Sequence, residues 1–63
     1  MPLKVREVIR LLEQNGWRKD RQKGSHRQFV HPSIPYTITV AGKERADMPP
    51  GTANDILKKA GVK

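Results

Sequence analysis

Sixty-three residues with a formal net charge of +7 and a pI near 10.4 describe one small domain. A chain this short hides only about 60% of the surface its unfolded form exposes, so it cannot enclose a deep pocket. The charge favours polyanions, nucleic acid ahead of an anionic membrane, and disfavours a neutral small-molecule substrate.

Further classes drop out on residue type. There is no cysteine, and the two histidines, His26 and His31, do not have the spacing of zinc ligands, so neither a disulfide framework nor a structural metal is expected. No apolar run approaches the roughly 20 residues a spanning helix requires, and the amino terminus lacks the apolar stretch of a signal peptide. The expectation is a cytoplasmic, soluble protein with no cofactor.

Val5, Val8, Ile9 and Leu12 fall at i, i+3, i+4 and i+7, which predicts a first helix with Lys4, Arg6, Arg10 and Gln14 opposite its apolar face. Asn15-Gly16 marks its end, because glycine takes the left-handed C-terminal conformation without a Cβ clash. Trp17 follows, and its position suits a lid over the helix better than a platform for stacking bases.

Three short strands come next, over Trp17–Arg21, His26–His31 and Tyr36–Val40, separated by Lys23-Gly24 and by Pro32-Ser33-Ile34-Pro35. An antiparallel meander connects them most simply. Tyr36, Ile38 and Val40 alternate with Thr37 and Thr39, giving one apolar and one hydroxyl face, as expected when helices cover a single side of the sheet. Gly42 to Pro50 is dense in charge and poor in apolar residues, which predicts an exposed loop rather than a strand.

Ala53, Ile56, Leu57 and Ala60 repeat the helical spacing. Thr52 and Asp55 can form a capping box at the start of this second helix, Pro50 is a rival start, and Gly61 closes it. Lys58 and Lys59 suit the carbonyl end of its dipole, with Lys63 beyond them. The expected architecture is α+β in the order α-β-β-β-α, with both helices on one face of a three-stranded antiparallel sheet.

Strand alternation within Lys23-Gly24-Ser25-His26-Arg27-Gln28-Phe29 sets His26 and Gln28 on one face and Arg27 and Phe29 on the other. If Phe29 enters the core, His26 projects from the open face beside a glycine turn that a phosphate can approach closely. RNA carries its own nucleophile, the 2′-hydroxyl, so cleavage needs a base of near-neutral pKa and a cation on the phosphate. Histidine, with a reference pKa of about 6.5, is such a base.

Around it Arg18, Lys19, Arg21, Lys23 and Arg27 crowd the hairpin, with Lys43 and Arg45 in the following loop, a density suited to tracking phosphates. Arg27 has a second reading, snorkelling from the core side. Ser25 serves either as a phosphate ligand or as a turn-maker. His31 reads as a hydrogen-bonding residue at a strand end rather than as a paired catalytic acid.

An aliphatic helix ending in Asn15-Gly16-Trp17, then Lys23-Gly24-Ser25-His26, then Pro50-Gly51-Thr52 and Ile56-Leu57-Lys58-Lys59-Ala60-Gly61 together resemble the HicA family of toxin–antitoxin ribonucleases over nearly the whole chain. The resemblance implies a fold like that of double-stranded-RNA-binding domains and cleavage of messenger RNA that halts translation. It also implies a HicB-type antitoxin partner and His26 as the catalytic histidine. Lys19, Arg21, Lys23, Gly24, Ser25, Arg27 and Lys43 are the expected RNA contacts. A non-catalytic RNA-binding module, reading A-form shape through phosphate and 2′-hydroxyl contacts, is the alternative.

Overall fold

The helical period of Val5, Val8 and Leu12 is realised in α1 (Val5–Gln14), where all three side chains are buried. The structure, a computed structural model, describes residues 3–62, and Lys63 lies outside the described residues. Ahead of α1 runs β1 (Leu3–Lys4), and after it come β2 (Arg18–Lys23), β3 (His26–His31), β4 (Ile34–Val40), β5 (Asp47–Met48) and α2 (Pro50–Lys59). The order of the main elements is α-β-β-β-α, with β2, β3 and β4 forming an antiparallel sheet in chain order.

Both ends of α1 are closed by backbone groups. The carbonyls of Ala46 and Glu44 accept the first N–H groups, from Val5 at 2.9 Å and Arg6 at 3.1 Å, which a helix cannot satisfy by itself. At the other end Gly16, with φ of +93°, donates to Glu13 O, and Trp17 N–H donates to Leu12 O at 3.0 Å. This is a Schellman arrangement. The same pair of bonds closes α2, from Gly61 N–H to Lys58 O and from Val62 N–H to Leu57 O.

Phe29 of β3 and Ile38 and Val40 of β4 point to one side, where they meet Val5, Val8 and Leu12 of α1, Ala53 of α2, and Trp17, Met48 and Ala60. Trp17 is the lid expected of it: its indole is buried and Nε1–H donates to Ala60 O at 3.2 Å, tying the end of α1 to the end of α2. Tyr36 closes the sheet edge, half exposed, with its ring tilted toward Trp17 and its hydroxyl donating to Lys59 O. The molecule is 16 Å deep along its shortest axis, which accommodates two layers.

Three local expectations need correction. Gly42 to Pro50 is not wholly a loop: β5 pairs antiparallel with β1, with Met48 buried and Lys4 Nζ 2.8 Å from Asp47 Oδ1. A two-residue strand is too short to show a period, so only packing reveals it. Helix α2 begins at Pro50, with Pro49 at the cap position, and no side-chain cap bond from Thr52 forms. Proline's fixed φ suits the first helical turn, which has no use for its missing N–H. Finally, β2 starts one residue later and ends two later than expected, and β4 reaches back to Ile34, its Pro35 tolerated on an edge strand. Among the described residues, no helix is long and apolar enough to cross a membrane.

Candidate nucleic-acid interface

Lys23 and His26 face each other across a two-residue turn, Gly24-Ser25. Gly24 has φ of +60° and Ser25 a negative φ, the pattern of a type II′ turn, whose twist matches that of the flanking strands. The turn stands clear of the body of the protein: a Cβ added at Gly24 would meet nothing within 4 Å. His26 is the first residue of β3 and is exposed.

The register fixes which side chains share its face. Directly opposed residues of antiparallel strands point the same way, so the pairs Lys23↔His26, Arg21↔Gln28 and Gln28↔Thr39 set these residues on one surface. Together Arg21, Lys23, His26, Gln28 and Thr39 line an open-sided concavity of about 510 Å³ on the sheet face away from the helices. Among the described residues the ion pairs are Lys4–Asp47 and Arg27–Glu44, so neither Arg21 nor Lys23 is paired. An imidazole therefore lies opposite Lys23 and diagonal to Arg21, two cations free to receive an anion.

Lys19 and Arg27 are not brought to this face. A β-bulge between Lys19 and Arg21 inserts Asp20 into β2, so Lys19 pairs with Phe29 and shares the helix side, where its Nζ donates to Gln22 Oε1 at 3.1 Å. Alternation alone would have set Lys19, Arg21 and Lys23 on one face. Arg27 is 9% exposed and occupies the core side, as its snorkelling alternative required. One guanidinium nitrogen donates to Gly42 O at 3.0 Å, and another lies 3.6 Å from Glu44 Oε1.

The remaining expected contacts, Gly24, Ser25 and Lys43, lie around the hairpin turn, where Gly42 N–H donates to Ser25 O at 3.2 Å. His31 is engaged elsewhere. Its Nδ1 accepts from Ser33 N–H at 3.0 Å, so its Nε2, 3.0 Å from Asn15 O, is assigned as the donor, and the ring stands edge-on to Trp17. Both nitrogens are occupied by this strand-end role.

Sequence reasoning set Gln28 on the face of His26 without assigning it to the site, and it missed Thr39. The hydroxyl face of Thr37 and Thr39 was the available signal, and the β3–β4 register converts it into a place beside Gln28. No cluster of three or more His, Cys, Asp or Glu side chains suited to a metal forms among the described residues.

No curated protein matches the chain. A family model described as the HicA toxin of bacterial toxin–antitoxin systems matches residues 5–62, from the first residue of α1 to just past the end of α2. A match that runs through every element carrying the cationic face and the core behind it assigns the chain as a whole: it belongs to the HicA toxin family.

Proposed function

We propose that this toxin is a metal-independent endoribonuclease that cleaves messenger RNA in the cytoplasm and so halts translation. The observation that carries the reading is the placement of exposed His26 on an open sheet face with Lys23 opposite it and Arg21 on the diagonal, two cations without carboxylate partners among the described residues. His26 removes the proton of a 2′-hydroxyl, and the freed oxygen forms a bond to the adjacent phosphorus. Arg21 and Lys23 balance the charge that builds on the phosphoryl oxygens. The bond from phosphorus to the 5′-oxygen breaks, that oxygen takes a proton from the imidazolium or from water, and a 2′,3′-cyclic phosphate remains on the upstream fragment.

Arg27, one of the expected RNA contacts, takes no part in this scheme, because its guanidinium is committed to Gly42 and Glu44 on the other face. Gln28 and Thr39 supply hydrogen-bonding groups on the floor of the same concavity, within the reach of a ribose or base. Membership in a toxin–antitoxin family implies an antitoxin. The partner we propose is a HicB-type protein whose acidic surface meets this cationic face, an arrangement that favours fast association.

One observation favours a second reading, a non-catalytic RNA-binding module: among the described residues no hydrogen bond orients the His26 ring, as a partner commonly does for a catalytic base. The two readings part on a mapped RNA cut in the presence of chelator. Cleavage leaving a cyclic phosphate, and lost when the nucleotide 5′ to the cut carries a 2′-hydrogen, is the expected result. Salt-sensitive binding with no cut supports the binding module, and a 3′-hydroxyl product refutes the role given to His26.

A further inference from the structure

The hairpin turn that carries His26 borders a second concavity on its other side, lined by Gly24, Ser25, Arg27, Lys43, Glu44 and Arg45. Its loop is held by four backbone hydrogen bonds. Gly42 N–H donates to Ser25 O, Ala46 N–H donates to Lys43 O at 2.9 Å, and the carbonyls of Glu44 and Ala46 are fixed by the first amides of α1. From beneath, Arg27 donates to Gly42 O and offsets the only carboxylate of this lining, Glu44. Lys43 and Arg45 are left as its net charge, and neither takes part in an ion pair among the described residues. Because the backbone that presents them is already held, an arriving anion has only these two side chains to order.

We propose that this concavity is a second phosphate site, in which Lys43 and Arg45 each neutralise one backbone phosphate of the RNA strand whose reacting phosphate lies against Arg21, Lys23 and His26. The strand then bends around the Gly24-Ser25 turn, where the absence of a side chain on Gly24 admits the backbone closely. Arg27 is a positioning residue in this arrangement: it touches no phosphate and holds the loop that does. The inference rests on the RNA-binding reading above and extends it from a single phosphate to a run of them.

Counterion release gives the test its readout, since each phosphate neutralised on a single strand adds about 0.7 to the slope of log K against log salt. Binding of an uncleavable 2′-O-methyl oligouridylate is measured by fluorescence anisotropy over a salt series. Lys43→Ala with Arg45→Ala is expected to make the slope shallower by about 1.4, while the charge-keeping Lys43→Arg with Arg45→Lys retains the wild-type slope. An unchanged slope in the alanine variant overturns the second site and leaves the RNA-binding reading standing. An equal reduction in both variants overturns it as a loss of loop structure. If the wild type shows no salt-dependent binding, both readings fall together.

Discussion

Gly16 is constrained twice. Its φ of +93° is one that side chains rarely adopt, and a Cβ there would stand 2.8 Å from His31 Nε2. Gly16→Ala is expected to cost about 1–3 kcal/mol, seen as a lower urea midpoint with an unchanged m-value, and to displace His31 from Asn15 O. The helix stop at Asn15-Gly16 was legible because it depends on neighbours in sequence. The approach of His31 was not, because it is made by the return of β3 alongside the end of α1. His26 presents the opposite case: exposed and without a structural partner among the described residues, its replacement by alanine should change stability by no more than about 0.5 kcal/mol in the same titration.

The 42–46 loop shows how one element holds several others. Arg27→Met keeps an apolar stem while leaving Gly42 O without its donor and Glu44 without its cation, for an expected loss of about 1–3 kcal/mol. Amide hydrogen exchange should locate the damage. The Val5 and Arg6 amides, which donate into this loop, are expected to exchange faster by more than the global loss, while those of the β3–β4 ladder quicken only in step with global stability. The helices and the main strands could be read from period and turn chemistry. The bulge at Asp20 could not: a run of Arg, Lys and Asp on an edge strand has no apolar rhythm to reveal a slip, so nothing in the sequence separated the face of Lys19 from that of Arg21. Nor could β5, whose two residues are defined by what they pair with.

At the scale of the molecule, apolar core and candidate site are divided between the two sides of one sheet. Helices and core occupy the side of Phe29, Ile38 and Val40, while the other side carries Arg21, Lys23 and His26 with none of the described residues packed over them. That division was visible in the alternation of β3, and it is why His26 and Gln28 could be placed on the open face from sequence while Thr39 waited on the register between strands. Under the proposed function, a net charge of +7 on 63 residues draws RNA to the open side, and the imidazole converts that attraction into a reaction. The central claim is that His26 performs the chemistry. Purified wild type and His26→Ala, matched for thermal melting, should be incubated with the same RNA in chelator and their cleavage rates compared. Removing a general base is expected to slow cleavage by about 10²–10⁴-fold while binding persists. Equal cleavage by the two proteins would contradict the account.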